Sequence, residues 1–342
     1  MKAVRFHEYG GVEKLVFESV PDPLPGSEEV LIRVHACAVN HVDIDMREGI
    51  SRLPLKLPHT LGFEIAGRIA AIGEGVTNFN VGDRVSPLFQ IHCRKCEWCK
   101  KGQHHHCENI VMLGVQSPGG YAEYVLAPAW SLIPLPDNID YVIAAAIQTT
   151  FATVWHALVT RVNLQPGQTV LVNAAGSGVG SAAIQLAHML GAQVIASAGS
   201  NEKLERAKEY GVFATINYSE ENLTARVREI TNGRGVDIVM ECVGGEVFTC
   251  SVNALAKDGK LVTVGCHAGE VVPLDIITLF RNQWSVIGSV RATANEIKHV
   301  INLTADGKLK PVIYKTYPLS EAREAHIDMA ARKQYGKLVL LP

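Results

Sequence analysis

The sequence has no surplus of charge of either sign. Its 32 Lys and Arg residues stand against 34 Asp and Glu, which leaves a net charge of -2. Proteins that bind nucleic acid usually carry a basic patch or surplus, so we expect no nucleic-acid partner. With 342 residues, of which 47% are hydrophobic, the chain exceeds one ordinary core, and we expect two domains.

A long uninterrupted hydrophobic run is also absent. The most apolar stretch, 143–159, is broken by Gln148, several threonines and His156. It is shorter than the roughly 20 apolar residues that a membrane-spanning helix needs. The first residues, MKAVRFHEYGG, lack the apolar core of a signal peptide. We therefore expect a cytoplasmic protein with no membrane partner.

Cysteine is scarce outside one segment. Four of the eight cysteines lie within residues 92–107, HCRKCEWCKKGQHHHC, and the other four are scattered along the chain. A disulfide framework would spread its cysteines more evenly, so this clustering favours metal binding. A reduced cluster without metal, or one disulfide pair, is the alternative. The four histidines of the segment are expected to be solvated loop residues.

The spacing Cys-x2-Cys-x2-Cys-x7-Cys is typical of a loop folded around a tetrahedral zinc ion. Four thiolates fill the coordination shell and leave no position for a substrate. We therefore expect one structural zinc per chain, which holds residues 92–108, called the zinc lobe below, and does no chemistry. Its expected ligands are Cys93, Cys96, Cys99 and Cys107.

The two halves of the chain differ in the pattern of their apolar residues. Residues 1–135 contain short β-branched runs broken by Gly and Pro, which predicts an irregular β domain. After residue 166, short apolar runs alternate with amphipathic helices that begin near 179, 201 and 221, which predicts a doubly wound parallel α/β sheet. The tail 311–342 returns to strand, helix, strand and is expected to rejoin the first domain. The six predicted strands are TVLVNAA, QVIASAG, FATINY, VDIVMECV, KLVTVGC and WSVIGSV.

A glycine-rich turn joins the first of these strands to a helix. Glycines allow the backbone to approach a pyrophosphate closely, and the helix N-terminus offers N–H groups and a positive dipole end. The literal G-x-G-x-x-G spacing is absent, and a tight turn without ligand is the simpler alternative. The position after a strand, with further alternations following, favours a dinucleotide site. Its expected residues are Gly176, Ser177, Gly178, Val179 and Gly180.

The end of the second strand bears on the choice of cofactor. An NAD site usually places Asp or Glu there to bind the ribose 2′-hydroxyl, whereas this strand ends in residues 197–200, SAGS. Lys203 lies in the first turn of the next helix, where a cation opposes the helix dipole unless it meets an anion such as the 2′-phosphate. We therefore expect Ser200 and Lys203 to bind NADP, with NAD as the alternative. The simpler alternative is that Ser200 only caps the helix and Lys203 is a solvated lysine.

Besides the zinc lobe, the chain contains the segments GFEIAGRIAAIGEGVTNFNVGDRV, GGYAEYV, AAGSGVGSAAIQLA and GKLVLLP. In these segments it resembles the zinc-containing, alcohol dehydrogenase-like medium-chain dehydrogenase/reductase superfamily. This resemblance implies a β-barrel-like catalytic domain, 1–146 and 291–342, and a Rossmann domain, 147–290. It also implies cofactor contacts from Thr153, Tyr218, Val264 and Gly265, and a homodimer or homotetramer.

The ligands of a second, catalytic zinc are missing. Where the alcohol dehydrogenases of the superfamily place Cys, His and then Cys or Glu, this chain has Asn40, Phe63 and, near the third position, Gln148. The resemblance is then closer to the quinone oxidoreductase and enoyl reductase branch, which transfers hydride without metal and whose Asn-x-x-Asp arrangement matches Asn40 and Asp43.

We expect a reductase of activated C=C, quinone or carbonyl substrates, in which Asn40 orients the substrate or nicotinamide and His41 or water supplies the proton. Two alternatives stay open. One is a zinc-dependent alcohol or aldehyde dehydrogenase whose metal site is rebuilt from His41, His59, Asp43 or Glu64. The other is an NADPH-binding protein without turnover.

Overall fold

The computed structural model describes residues 1–342, which form two compact units. One contains Met1–Gln148, Thr293–Asp306 and Ile313–Pro342, and the other contains Thr149–Ala292 and Gly307–Val312. The short stretch 307–312 packs with the second unit, whereas we expected all of 291–342 to belong to the first. The reason lies in Gln185, whose side chain hydrogen-bonds the backbone N–H and C=O of Lys310 at 3.0 and 2.9 Å.

Both units mix strands and helices. The strands are β1 Lys2–Phe6, β2 Val16–Ser19, β3 Glu29–Val39, β4 His59–Thr60, β5 Glu64–Ile72, β6 Arg84–Pro87, β7 Gln90–Ile91, β8 Val111–Met112, β9 Tyr124–Pro128, β10 Leu132–Pro134, β11 Thr169–Val172, β12 Gln193–Ala198, β13 Ala214–Asn217, β14 Val236–Glu241, β15 Leu255–Thr263, β16 Ser285–Gly288, β17 Ile313–Pro318 and β18 Lys337–Leu341. The α-helices are α1 His41–Glu48, α2 Glu97–Lys100, α3 Tyr141–Ala144, α4 Thr153–Trp155, α5 Gly178–Met189, α6 Asn201–Ala207, α7 Leu223–Ile230, α8 Gly245–Asn253, α9 Ile276–Arg281, α10 Ala294–Ala305 and α11 Ala322–Ala330.

The first unit is built on a seven-stranded sheet of order β10-β6-β5-β3-β18-β17, with β9 also paired to β3. Strands β2, β1 and β4 form a smaller sheet. Strands β3, β18 and β5 lie side by side, and their inward side chains form one hydrophobic core with α11. The antiparallel pair β7 and β8 closes the base of the zinc lobe, because Ile91 lies opposite Val111.

The second unit is a six-stranded parallel sheet of order β13-β12-β11-β14-β15-β16. All six strands predicted from the alternation of apolar runs are present, and the doubly wound α/β fold is confirmed. Helix α7 begins at Leu223, two residues later than expected, because the Asn222 side chain caps it by accepting from the Ala225 N–H at 2.9 Å. The sheet reverses its strand order between β11 and β14, which is where doubly wound folds bind ligands.

The helical stretch Tyr141–Arg161 is longer than the sequence suggested. It is the one helix long and apolar enough to cross a membrane by length and composition, and 67% of its apolar window is buried inside the protein. The segments Gln148–Ala152 and His156–Arg161 are π-helical, so the helix continues through the polar residues of this stretch. A buried core helix can be as long and as apolar as a membrane-spanning helix, so length and composition alone do not indicate a membrane span here.

Candidate functional site

The four cysteines of the zinc lobe converge. Their Sγ atoms all lie within 4.8 Å of one another, and none forms a disulfide. Cys93 Sγ and Cys99 Sγ are 4.0 Å apart, close to the roughly 3.8 Å between sulfurs that share a tetrahedral zinc at about 2.3 Å. The backbone N–H groups of Lys95 and Cys96 favour the thiolate and lower the pKa of Cys93 to about 6. This donor set fits a structural zinc ion.

The histidines around the lobe are not all solvated. His92 is 9% exposed and stacks on His104, with ring centroids 3.9 Å apart, and its ring also makes an edge-to-face contact with Trp130, with centroids 4.7 Å apart. Burial lowers the pKa of His92 to about 4, so the ring is neutral at pH 7. The expectation that His92 is solvated was therefore wrong, because the imidazole packs as an aromatic ring.

A second polar cluster lies at one end of the β18-β3-β5 sheet. Because Leu338 pairs with Val39, Lys337 is placed beside Asn40. Glu64 pairs with Ala38 on the other side of β3. Three neighbouring strands thus bring Lys337, Asn40 and Glu64 together, and we call these three residues the lysine triad.

The lysine triad is closely hydrogen-bonded. Lys337 Nζ donates to Glu64 Oε2 at 2.8 Å, to Asn40 Oδ1 at 2.7 Å and to the Val39 carbonyl at 3.1 Å. Asn40 Nδ2 donates to Glu64 Oε2 at 3.2 Å and, at 3.5 Å, to the Ala38 carbonyl. An ammonium only donates and a carboxylate only accepts, so the orientation of the Asn40 amide is fixed by its partners. The buried ion pair requires such satisfied geometry, because both charges have left water.

Asp43 is buried just behind Asn40. Its Oδ2 accepts from the Asn40 backbone N–H at 2.8 Å, so Asp43 caps the start of α1, and from the Tyr121 hydroxyl at 3.2 Å. Burial raises the pKa of Asp43 to about 7, although these hydrogen bonds and the charge of Lys337 act in the opposite direction. Asp43 therefore stabilises the backbone at Asn40 through this hydrogen bond.

A chain of buried groups continues from Asp43. Arg47 Nη1 lies 3.1 Å from His326 Nδ1, and His326 Nε2 lies 3.1 Å from the Tyr121 hydroxyl. Because arginine only donates, Nδ1 accepts and Nε2 carries the proton that it donates to Tyr121, whose own hydrogen points to Asp43. Burial, with the nearby Arg47 charge, lowers the pKa of His326 to about 3. The whole chain therefore directs its donors toward the Asp43 carboxylate.

The two candidate histidines of the first unit are His41 and His59. His41 is the first residue of α1, and its Nε2 is 3.9 Å from Asp45 Oδ1 one turn on. His59 is buried, with Nε2 2.8 Å from the Gly114 carbonyl. No group of three or more metal-ligating side chains forms around His59, Asp43 or Glu64. These three residues of the expected rebuilt metal site are thus engaged with other partners.

The positions that would hold a catalytic zinc carry side chains that do not fit one. The amide of Asn40 belongs to the lysine triad, and Phe63 packs its ring 5.1 Å from that of Phe89. Gln148 donates to Ser86 Oγ and the Pro87 carbonyl at 2.7 and 2.9 Å. An amide, a phenyl ring and a second amide are poor zinc ligands, which are normally Cys, His, Asp or Glu.

The glycine-rich turn of the second unit has the form that a pyrophosphate site requires. Ser177 caps α5, because its Oγ accepts from the Gly180 N–H at 2.9 Å. A Cβ at Gly180 would lie 2.1 Å from the Ala174 carbonyl, so only glycine allows the turn to close this tightly. Gly178 and Val179 form the first turn of α5, and their N–H groups point along the helix axis toward its N-terminus.

Lys203 lies against this turn. A Cβ on Gly176 would meet Lys203 Cδ at 2.5 Å, so the lysine stem covers the glycine. Ser200 caps α6 by accepting from the Lys203 N–H at 3.4 Å. Tyr218 packs its ring on the other side of the strand end, where a Cβ on Gly199 would meet Tyr218 Cε2 at 3.2 Å. The structure therefore places the Lys203 stem and the Tyr218 ring beside residues 198–200, and the Glu220 carboxylate lies 3.3 Å from Nδ2 of Asn201, the next residue.

The remaining cofactor candidates occupy the same edge of the sheet. Val264 and Gly265 follow the end of β15, where the Val264 N–H donates to the Glu241 carbonyl at 3.0 Å. Glu241, which sequence analysis missed, is fully buried at the end of β14, and its Oε1 accepts from the Val243 and Gly244 N–H groups at 2.7 and 3.0 Å. It shapes the loop at this edge. Thr153 lies on α4, which packs against α5.

Comparisons with known proteins agree with both units. Residues 178–306 match the family model described as Zinc-binding dehydrogenase, and residues 26–137 match that of the Alcohol dehydrogenase GroES-like domain. An NAD-dependent alcohol dehydrogenase of Sulfurisphaera tokodaii is 36% identical over 100% of both chains. A quinone oxidoreductase of Rattus norvegicus is 31% identical over 100% of this chain and 98% of its own. A crystal structure of an NAD-dependent alcohol dehydrogenase superposes with a TM-score of 0.96 at 39% identity, covering both chains completely.

Proposed function

Because the chain belongs to the zinc-containing medium-chain dehydrogenase/reductase superfamily and is an NAD(P)-dependent oxidoreductase, we propose that it reduces an activated C=C, quinone or carbonyl group without a catalytic zinc. One observation carries this proposal. Asn40, which the resemblance puts at the position of the first zinc ligand, belongs to the lysine triad, and the buried ammonium of Lys337 lies 2.7 Å from its Oδ1.

The triad makes Asn40 a better hydrogen-bond donor. The Lys337 ammonium polarises the Asn40 carbonyl, and hydrogen bonds in such a chain strengthen one another. The bond from Asn40 Nδ2 to the Ala38 carbonyl is long, at 3.5 Å, and is therefore weak and readily exchanged for a substrate oxygen. NADPH, when bound, supplies the hydride. Asn40 would then stabilise the negative charge that develops on the substrate oxygen, as donors of an oxyanion hole do.

His41 is our candidate for the proton donor. It is a third exposed on the first turn of α1, next in sequence to Asn40, and Asp45 lies 3.9 Å from its Nε2. That carboxylate can orient the imidazole ring of His41. Protonation by His41 or by water completes the reduction.

For the cofactor we propose NADP. Support comes from Lys203 over Gly176 and from the absence of Asp or Glu in residues 197–200. A 2′-phosphate there would meet the Lys203 ammonium and the N-terminus of α6. The relative from Sulfurisphaera tokodaii and the superposed crystal structure are both named as NAD-dependent, which favours NAD instead.

The second candidate function is a zinc-dependent alcohol dehydrogenase, which those same names favour. It requires a metal held by residues other than Asn40, Phe63 and Gln148, with His41 and Asp45 as neighbouring donors on α1. Elemental analysis separates the two candidates, because the reductase needs one zinc per chain and the alcohol dehydrogenase needs two.

We further propose a cytoplasmic homodimer or homotetramer. Strand β16 is the edge of the parallel sheet, so one of its sides has no neighbouring strand. Val286 on β16 is exposed, and Phe280 on the preceding helix α9 is 61% exposed. A second copy of the chain would cover both, which sedimentation analysis tests.

The proposed function is tested by NADPH oxidation with a panel of enones, quinones and aldehydes. We expect turnover with at least one class, and a decrease in kcat of about 10²-fold in Asn40→Ala, the usual cost of one oxyanion donor. Asn138→Ala is the matched control, because the Asn138 side-chain amide donates to the Ala305 carbonyl in the same unit. A complete absence of turnover across the panel, or full activity of Asn40→Ala, would contradict the proposal.

A further inference from the structure

Gln148 has a buried hydrogen-bond acceptor that no group of the protein satisfies. The residue is 2% exposed, and its Oε1 has no hydrogen-bond partner. Leaving a buried polar atom unsatisfied costs about 1–3 kcal/mol, so native proteins do so rarely and usually for a reason.

The orientation of this amide is determined by its neighbours. The atom that lies 2.9 Å from the Pro87 carbonyl must be Nε2, because a carbonyl oxygen only accepts. Nε2 also donates to Ser86 Oγ at 2.7 Å, and Ser86 in turn donates to the Ile65 carbonyl at 2.7 Å. Rotating the amide by 180° would oppose two oxygens at Pro87. Oε1 therefore points away from Ser86 and Pro87 and stays an acceptor.

Gln148 is adjacent to the proposed reaction site. Two hydrogen bonds, through Ser86, connect it to Ile65, the residue after Glu64 of the lysine triad. Pro87 ends β6, and two residues on, Phe89 packs against Phe63. Phe63 and Phe89 are both buried in the hydrophobic core of the first unit. In a small-molecule site, a few polar groups among apolar side chains provide specificity.

We propose that Gln148 Oε1 accepts a hydrogen bond from the substrate, so that the enzyme prefers activated alkenes or quinones that carry a hydroxyl or amide N–H group. This inference rests on the proposed reductase function. A site built to bind a donor discriminates against an analogue that lacks it, because the acceptor is then left buried and unpaired.

The test compares 2-cyclohexen-1-one with its hydroxy derivatives at C4, C5 and C6 and with the corresponding methyl ethers. An ether oxygen has similar size but only accepts, so it opposes Oε1. We expect kcat/KM for at least one hydroxy isomer to exceed that of its methyl ether by about tenfold or more, as a buried unsatisfied acceptor implies. This measurement uses the unaltered enzyme.

The variant Gln148→Met removes the acceptor, and its ratio of hydroxy to ether kcat/KM should fall to about one. Ser86→Ala is the matched control, because it removes one partner of Nε2 and keeps Oε1, so its ratio should stay high. Using a ratio within each variant cancels any general loss of activity.

The outcomes separate the two proposals. Absence of turnover with every cyclohexenone and with the wider panel overturns the reductase function and this inference with it. Turnover with equal kcat/KM for hydroxy compounds, ethers and parent leaves the reductase function standing and overturns the role of Gln148, since Oε1 would then be satisfied by ordered water alone. A tenfold preference that disappears in Gln148→Met supports it.

Discussion

The Lys337 ammonium and the Glu64 carboxylate form an ion pair of 2.8 Å in which both side chains are buried, at 7% and 0% exposure. A buried charge that loses its partner costs about 3–5 kcal/mol, whereas removing both charges together is often tolerated. We therefore expect Lys337→Met to lower the free energy of unfolding by about 3–5 kcal/mol, and Glu64→Gln in the same chain to recover much of that loss. Urea unfolding of the single and double variants measures this coupling.

The matched control for this cycle is Lys315→Met. Lys315 lies on the neighbouring strand β17, exposed over the Tyr317 ring, and has no buried carboxylate partner. Its loss should change stability by less than about 1 kcal/mol. Equal destabilisation by Lys315→Met and Lys337→Met would contradict a special role for the pair.

The zinc lobe gives a second prediction. Cys99→Ser removes one of four ligands, so we expect zinc to fall well below one per chain and residues 92–108 to become sensitive to proteases, because metal binding is coupled to folding of the lobe. Cys266→Ser is the control, since this exposed cysteine lies outside the cluster and its variant should keep the metal. Retention of one zinc in Cys99→Ser would show that the four thiolates do not hold the ion.

Cofactor choice depends on Lys203. We expect Lys203→Ala to weaken NADPH binding about 10- to 100-fold and NADH binding by less than about twofold, because only NADPH has the 2′-phosphate. Lys208→Ala provides the control, since that lysine pairs with Glu205 further along the same segment. Equal Kd changes for both cofactors, measured by fluorescence titration, would favour NAD as the natural cofactor.

Asp43 makes stability depend on pH. Its pKa is raised by burial from 3.8 to about 7, so between those values the folded protein holds a proton that the unfolded chain has released. Stability from this group is therefore present at pH 4 and is lost as the pH rises to about 7. Relative to Asp43→Asn, the wild-type unfolding free energy should fall by on the order of 3 kcal/mol over this range. A constant difference between the two proteins would show that folding does not raise the pKa of Asp43.

His326 contributes with the opposite sign. Its pKa is lowered from 6.5 to about 3, so the unfolded chain binds the extra proton and stability rises with pH across that window. The pH dependence of wild-type stability contains both contributions. The contribution of Asp43 is therefore obtained from the difference in unfolding free energy between the wild type and Asp43→Asn at each pH.

Sequence patterns predicted most of the fold, because apolar periodicity and turn residues are local. The six parallel strands and the cysteine cluster are examples, since their signals lie within a few residues. Lys337 could not be predicted this way. It lies 297 residues from Asn40, and only the antiparallel pairing of β18 with β3 brings them together.

The buried chain behind Asn40 shows the same limit. His326 is a polar residue on the inner face of α11, between Ala325 and Met329, and its sequence gives no sign of Arg47 or Tyr121. A histidine within an apolar helix face is a weak signal of a buried polar network. Gln148 was recognised only as a poor zinc ligand, because an unsatisfied Oε1 is visible only when its neighbours are known.

The most direct test of the central claim is the zinc content of enzyme that turns over an enone with NADPH, purified without added metal. We predict one zinc per chain in the active protein, held by the cysteines of the zinc lobe, with no increase in activity when zinc is added. Two zinc ions per chain, with activity lost in proportion to removal of the second, would contradict hydride transfer supported by Asn40 and Lys337 and would favour the alcohol dehydrogenase.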